Sequence, residues 1–212
     1  MAILFQQLVN EALREGQTEK EITSWHASRM GSCLRGMFLE RKGVKPDKDF
    51  DERTLRVFQC GKVFEDFLVS LAEKKMDIEK QVRVESKELN ISGYADLVVK
   101  HEGEIKVYEI KSKHSAGFTY LPNDQHRQQL WIYLYCLNIS SGNLVYLSKD
   151  DLRIAEYPVL LDDEKLKQTV LGQINVLNIA WRDDDITKLP LIDDPKDWRG
   201  RFCRWHISCY KG

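Results

Sequence analysis

Two consecutive runs of β-forming residues, 91–100 and 104–112, are separated only by the short turn 101–103, His-Glu-Gly. Runs of this kind on either side of a tight Gly-containing turn predict a β-hairpin. A third run, 80–88, in which Val82 and Val84 alternate with polar residues, precedes the hairpin. The chain therefore contains a sheet with at least three strands close together in sequence.

The rest of the chain reads as helices and two further strands. Apolar residues recur at helical spacing in five segments, and β-formers recur in two. The predicted helices are 3–15, ending before Gly16, then 28–42, 51–76, a segment from Pro122 to about 137, and about 163–181; the predicted strands are 143–149 and 153–159. This order predicts an α/β (α+β) domain built on one mixed sheet with helices on both faces.

Nothing in the sequence marks a domain boundary. At 212 residues, without an internal repeat or a Pro/Gly/Ser-rich linker, the chain is predicted to form one domain, 1–212. A helical N-terminal part, about 1–50, and a cysteine-bearing tail, about 195–212, are expected to pack on its core. Because the sequence has neither a long apolar run nor a signal-peptide pattern at its N-terminus, we expect an intracellular, cytoplasmic protein with no membrane partner.

Net charge and cysteine content argue against a globally basic nucleic-acid-binding protein and against a protein stabilised by disulfides. The formal net charge is −1, so no global basic field indicates nucleic-acid binding, although residues 198–212 hold three Arg, one Lys and no acid. The five cysteines are an odd number scattered along the chain, which argues against a disulfide framework. Metal ligation or simple burial explains them better.

Charged residues interrupt the two strands of the predicted hairpin. Asp96 lies between Ala95 and Leu97, and Glu109 and Lys111 are two residues apart, on one face of their strand. If Asp96 faces this pair, two carboxylates and one ammonium converge into a cradle for a divalent cation such as Mg²⁺. The alternative is a surface ion pair on an edge strand.

Two other polar features lie on predicted helices. Glu65 falls on or beside the apolar stripe of the helix 51–76, where a lone carboxylate needs a partner, unless it is a boundary residue. Gln129 and Tyr133 are one turn apart on the helix that follows Pro122, a spacing that is common and mostly structural.

In their order and rough spacing, these residues resemble a known family. Glu65, Gly93-x-x-Asp96, Glu109-x-Lys111 and Gln129-x-x-x-Tyr133 are similar to the motifs of the RecB-like branch of the PD-(D/E)XK nucleases. That branch includes CRISPR-adaptation exonucleases and nucleases of phages and archaeal viruses. The resemblance covers about residues 28–209 and implies a restriction-endonuclease-like core.

The resemblance also implies chemistry. Asp96 and Glu109 correspond to metal-binding carboxylates, Lys111 to the catalytic lysine, and Glu65 to a further acidic contributor to the metal site. Gln129 and Tyr133 correspond to a motif associated with DNA handling. The implied activity is Mg²⁺- or Mn²⁺-dependent hydrolysis of DNA phosphodiester bonds, in viral or cellular recombination, repair or replication. A Holliday-junction endonuclease, acting as a dimer, and a catalytically idle nucleic-acid-binding subunit are the alternatives.

The cysteines depart from the family pattern. Iron–sulfur members of the family have one cysteine before the nuclease core and three after it, spaced C-x2-C-x5-C. Cys33, Cys203 and Cys209 match three of these positions, whereas Gly200 occupies the fourth. A [4Fe–4S] cluster normally takes four thiolates. The alternatives are a cluster completed by His206 or Cys60, a zinc site of Cys33, Cys203, His206 and Cys209, or buried cysteines without metal.

Overall fold

The computed structural model of the protein describes residues 4–16, 21–194 and 196–210. Ile3, where the first helix was predicted to begin, and Pro195, Lys211 and Gly212 of the predicted tail lie outside the described residues. In the part of the chain that the structure describes, no helix is both long and apolar enough to cross a lipid bilayer.

In the part of the chain that the structure describes, six strands form one mixed sheet. They are β1 (Trp25–His26), β2 (Asp77–Ser86), β3 (Ile91–His101), β4 (Glu104–Lys113), β5 (Ser141–Ser148) and β6 (Ile154–Leu160). The strand order is β1-β3-β4-β5-β6, and β2 pairs with the other edge of β3. The pairs β2–β3, β3–β4 and β5–β6 are antiparallel, whereas β1–β3 and β4–β5 are parallel. The predicted mixed sheet is confirmed, and the two-residue strand β1 is an addition that the sequence pattern did not reveal.

The predicted hairpin is also confirmed. His101 pairs with Glu104 across the turn, so that only Glu102 and Gly103 form the connection between β3 and β4. Both residues have positive φ, 51° and 84°, the conformation of a type I′ turn that matches the twist of the two strands.

Among the described residues, six α-helices accompany the sheet. They are α1 (Phe5–Glu15), α2 (Leu34–Arg41), α3 (Glu52–Ala72), α4 (Asp124–Leu137), α5 (Glu164–Arg182) and the short α6 (Trp198–Arg201). The prediction of a helix over 28–42 was wrong at its start. Gly31 has a left-handed φ of 80°, which a continuing helix cannot adopt, and Cys33 caps the new helix by accepting a hydrogen bond from the Gly36 N–H at 3.4 Å.

Both faces of the sheet are covered, as predicted. The main core lies between the sheet and helices α2, α4 and α5, and includes Trp25, Trp131 and Tyr146. A smaller cluster on the opposite face joins α3 to the sheet through Val69, Leu97, Val99, Ile110 and Val145.

The prediction of an apolar, core-facing stripe on α3 is only partly correct. Leu55 and Val69 are buried, but Phe58 and Leu71 are 52% and 46% exposed. The helix therefore rests on the sheet along a narrow line, and the rest of its inner face borders an open cleft.

Helix α4 is the crossover that makes the parallel β4–β5 pairing possible. It follows β4, packs over the sheet and returns the chain to β5, in the register Glu109↔Leu144 and Lys111↔Tyr146. Its residues 128–134 are all buried, so this helix places polar as well as apolar side chains against β4.

The β4–β5 contact predicts that alanine substitutions at two glycines have opposite effects on the stability of the protein. A Cβ on Gly142 in β5 would lie 2.4 Å from the Val107 carbonyl oxygen, which is backbone and cannot move aside. We expect Gly142→Ala to destabilise the protein by about 1–3 kcal/mol in urea denaturation, as overpacked cores do. Gly172→Ala, on the exposed face of α5 with nothing within 4 Å, should stabilise it by up to about 1 kcal/mol. Equal stability of the two variants would contradict this account.

Candidate active site

The Glu109 carboxylate is completely buried in the middle of the sheet. Its Oε1 accepts hydrogen bonds from Gln129 Nε2, at 2.6 Å, and from the Lys111 ammonium. Its Oε2 is buried as well but has no hydrogen-bond partner among the described residues. A buried carboxylate oxygen without a donor is costly, and this atom is therefore the position in the site that is best suited to contact a cation.

Gln129 and Tyr133 lie behind Glu109 rather than at the surface. The Gln129 amide also donates to the Tyr133 hydroxyl at 2.8 Å, and the two side chains are only 4% and 1% exposed. The association of this pair with DNA handling, which the family resemblance implied, stays a prediction. In the structure the Gln129 amide contacts the Glu109 carboxylate, and Tyr133 contacts Gln129.

Gly93 makes room for this arrangement. A Cβ on Gly93 would lie 3.0 Å from the Tyr133 ring and 3.2 Å from Ala27. The glycine of the Gly93-x-x-Asp96 motif is thus explained by the close approach of α4 to β3.

Asp96 lies where β3 and β4 diverge. Their ladder stops at Leu97↔Tyr108, and the next backbone donor of β4, the Ile110 N–H, donates instead to Asp96 Oδ2 at 2.8 Å. The carboxylate therefore replaces a strand partner and is fixed at the mouth of the opening between the two strands.

Glu65 approaches the site from α3, on the other side of the cleft. Gln81 Nε2 donates to Glu65 Oε1 at 2.9 Å. Gln81 lies at an interruption of the β2–β3 ladder, because Lys80 and Val82 pair with Leu97 and Ala95 in an unchanged register and leave Gln81 and Asp96 opposite each other but unpaired. Its φ of 50° is unusual for a residue other than glycine.

Sequence reasoning missed Gln81. A single glutamine in a strand gives no signal of an interrupted ladder, because the interruption shows only when the pairing of both strands is known.

An open cleft of about 790 Å³ separates α3 from β2, β3 and β4. Glu65, Asp96 and Lys111 line it, and Gln81 borders it. Lys62 and Lys149 also line the cleft, and neither forms an ion pair within the described ranges. The cleft therefore presents carboxylates and unpaired ammonium groups to whatever enters it.

Burial and mutual repulsion raise the pKa values of the three carboxyl groups. Burial raises the pKa of Glu109 to about 8 and that of Glu65 to about 6, and in both cases the Asp96 carboxylate adds to the shift. Burial also raises the pKa of Asp96. Burial works to lower the pKa of Lys111, but Glu109 and Asp96 outweigh it and the net shift is upward. Lys111 is therefore a permanent cation in the absence of metal.

The carboxyl groups are spread more widely than a closed metal cage. Within residues 4–16, 21–194 and 196–210, one set of three metal-ligating side chains has all its ligand atoms within 4.8 Å of one another, and it is Cys33, Cys203 and Cys209. Glu65, Asp96 and Glu109 do not all meet that spacing together. The carboxylate set is open, as expected for a site that shares its cation with a substrate.

The cysteine cluster lies apart from the cleft, between α2 and the C-terminal segment. Its three sulfur-bearing side chains are buried, and Trp205 packs with them. His206 and Cys60 are exposed, and neither belongs to the cluster; the His206 ring lies edge-on to Tyr210, with centroids 5.4 Å apart. Gly200 is buried, and a Cβ on it would lie 3.2 Å from Ile192 Cγ2.

The comparison with known proteins decides the family. The model of the PD-(D/E)XK nuclease superfamily matches residues 2–209. The chain belongs to this superfamily. The resemblance predicted from the sequence motifs is confirmed, and with it the restriction-endonuclease-like fold. PD-(D/E)XK nucleases generally use divalent metal ions.

Individual relatives are similar in sequence or in fold. The CRISPR-associated exonuclease Cas4 of Saccharolobus solfataricus is 29% identical over 140 residues, which cover 65% of this chain and 61% of the relative. The match thus spans less than two thirds of that protein. The crystal structure of SSO0001 covers 97% of this chain and 96% of its own, with a TM-score of 0.61 and 21% identity. An alkaline exonuclease from Laribacter hongkongensis gives a TM-score of 0.58 at 13% identity, covering 79% and 91% of the two chains.

The raised pKa of Glu109 predicts how stability depends on pH without metal. The folded protein keeps the Glu109 proton up to about pH 8, whereas the unfolded chain releases it near the usual value of 4.5. Stability should therefore fall as pH rises between these values. We expect Glu109→Gln to raise the melting temperature at pH 8 by at least about 2 °C, with less change at pH 5.

Melting curves in the presence of EDTA at a series of pH values measure this effect. Glu104→Gln, which removes an exposed carboxylate from the other end of β4, should retain the wild-type slope. A Glu109→Gln protein with the wild-type dependence on pH would show that Glu109 is already ionised in the fold.

Proposed function

We propose that the protein is a deoxyribonuclease that hydrolyses phosphodiester bonds in the cleft between α3 and the sheet, with Mg²⁺ or Mn²⁺ as cofactor. The observation that carries this proposal is the buried Glu109 Oε2, which lacks a donor and lies beside the Asp96 carboxylate and the Lys111 ammonium. The superfamily supports a nuclease, and two of the similar proteins are exonucleases by name.

The donor set suits a hard cation. Glu109 and Asp96 would hold it, with Glu65 as an outer carboxylate, and all three offer oxygen atoms, as Mg²⁺ and Mn²⁺ prefer. No sulfur or imidazole ligand belongs to the set, which disfavours zinc at this position. When bound, the cation would supply Lewis-acid stabilisation of the attacking and leaving oxygens of the phosphodiester.

The chain's own residues have separate tasks. Gln129, supported by Tyr133, holds Glu109 Oε1 and so directs Oε2 away from α4. The Ile110 N–H fixes one oxygen of Asp96 and leaves the other for a ligand. Lys111 places a positive charge beside both carboxylates, where it can stabilise negative charge developing on a phosphate in the cleft.

Gln81 is proposed as a positioning residue. Its amide restrains the Glu65 carboxylate on α3 and lies opposite Asp96 on β3, so it sets the width of the site across the cleft. A strained backbone conformation at this point, where the ladder is interrupted next to a cluster of carboxylates, is typical of a functional site.

The DNA path is proposed to follow the cleft. Lys62 and Lys149 line it without ion-pair partners in the described part of the chain, and are placed to contact phosphates. Since the net charge is −1, affinity should depend on these local cations and fall with salt. We further propose that residues 1–212 act as one nuclease domain in the cytoplasm, in DNA recombination, repair or replication.

Cleavage assays on purified variants test the activity. Asp96→Asn and Lys111→Met should each lower kcat at least about 100-fold in Mg²⁺ or Mn²⁺, because each removes a charge that faces the reacting phosphate. Lys106→Met removes a half-buried lysine, paired with Glu104, at the far end of β4 and should cut DNA like the wild type. Equal cutting by all four proteins would reveal a contaminating nuclease, and no cutting by any would favour an idle DNA-binding subunit.

The same assay separates the modes of cleavage. End-labelled linear duplex, single strands, covalently closed circles and four-way junctions are compared at equal concentrations. Degradation limited to DNA with ends supports an exonuclease. Cutting that requires the junction supports a Holliday-junction endonuclease, and sedimentation of the complex then shows whether it acts as a dimer.

Gln81→Gly tests the positioning role. Glycine accepts the φ of 50°, so stability should change by less than about 1 kcal/mol, while the amide is lost. We expect the metal concentration for half-maximal cleavage to rise about 10-fold, as for other groups that orient ligands. An unchanged metal requirement would show that Gln81 matters only for the local backbone conformation of β2.

A further inference from the structure

The cysteine cluster does not fit the four-iron cluster that the family pattern implies. Three thiols are present instead of four, and Gly200 stands at the remaining position. The direction that a side chain at 200 would take is occupied by Ile192, whose Cγ2 lies 3.2 Å from the ideal Cβ position. The cavity that the three cysteines share with Gly200 and Ile192 has a volume of only about 10 Å³. That is the space of about one water-sized sphere and not of a cluster of iron and sulfide.

The sulfur atoms are spaced for a single ion. All three lie within 4.8 Å of one another. Tetrahedral coordination with metal–sulfur bonds of about 2.3 Å places sulfurs about 3.8 Å apart, a distance that small side-chain rotations reach. The Gly36 N–H already donates to Cys33 Sγ at 3.4 Å, the type of hydrogen bond that supports a thiolate ligand.

The charge around the three cysteines also fits a single divalent cation bound by thiolates. Arg35 lines the same cavity and is only 8% exposed. Its Nε and Nη1 donate to two backbone carbonyls, of Leu189 and Cys209, but no carboxylate pairs with it in the part of the chain that the structure describes. A buried guanidinium needs a counter-charge. A divalent cation bound by three thiolates carries a net charge of −1 and would provide it.

We propose that Cys33, Cys203 and Cys209 bind one thiophilic divalent cation, Zn²⁺, in place of an iron–sulfur cluster. The ion fastens the C-terminal segment 198–210 to the start of α2. This segment is otherwise held by contacts such as Trp205 Nε1 donating to the Val44 carbonyl at 2.7 Å, by hydrogen bonds to Asp47 and by the ion pair of Arg204 with Asp49. Three thiolates leave the fourth coordination position to water or to the His206 imidazole, which lines the same cavity.

Metal analysis of the full-length protein, purified under reducing and anaerobic conditions, tests the proposal. We expect about one zinc per chain, no stoichiometric iron or acid-labile sulfide, and no visible absorption. After removal of zinc with a chelator, Co²⁺ should saturate the protein at one equivalent with the charge-transfer and d–d bands of a tetrahedral thiolate site. This wild-type titration requires no variant and none of the proposed nuclease activity.

Two variants locate the ion. Cys203→Ser should abolish the Co²⁺ spectrum, and Gly36→Ala should weaken binding at least about 10-fold with all three cysteines present. The reason for the second effect is that a Cβ at 36 would lie 2.8 Å from Cys203 Sγ and displace it. Cys60→Ser, which alters an exposed cysteine on α3, should bind like the wild type.

Three results would overturn the proposal. Iron and sulfide at about four per chain would show that the cluster assembles despite Gly200. A wild-type titration as weak as that of Cys203→Ser would show that the thiols bind no metal. Loss of the Co²⁺ spectrum in Cys60→Ser, with circular dichroism unchanged, would show that the ligands are different.

Discussion

The burial of the Glu109 carboxylate is the constraint on which the rest of the site depends. A completely buried carboxylate is tolerated only with donors in reach, and Lys111 and Gln129 supply them to one of its oxygens. This requirement fixes the position of α4 over β4, and hence the parallel pairing of β4 with β5. It also requires Gly93, because Tyr133 supports Gln129 and its ring lies against β3.

A second feature of the site is that the sheet opens on both edges of β3 at Asp96. Where Asp96 takes the Ile110 N–H, β3 and β4 no longer pair, and on the other edge of β3 the ladder with β2 is interrupted where Gln81 lies opposite Asp96. Backbone hydrogen bonds lost at these two points are replaced by side-chain contacts. The cleft is therefore formed by strand geometry, and α3 closes its far side with Glu65.

The cluster of buried carboxylates lowers the stability of the fold at the place where it could bind a cation. Like charges within a buried site raise the pKa values of Glu109 and Glu65 and disfavour their ionised forms. A cation in the cleft would relieve this repulsion and occupy the unpaired oxygen. The cysteine cluster of the C-terminal segment lies apart from these carboxylates. Its cysteines face a buried arginine instead of carboxylates, so the two candidate metal sites have opposite electrostatic surroundings and suit cations of different hardness.

The amino-acid sequence by itself determined five of the six described strands, the main helices within a few residues except for the start of α2, the hairpin turn and the family, because these depend on local periodicity and on motif order. It also singled out Asp96, Glu109 and Lys111. Only the tertiary structure decided that Gln129 and Tyr133 are buried behind Glu109, that Gln81 reaches Glu65, and that three distant cysteines meet without a fourth. These contacts depend on strand register, on an interruption of a strand ladder and on the crossing of helices over the sheet, which join residues far apart in the chain and leave no periodic signal in the sequence.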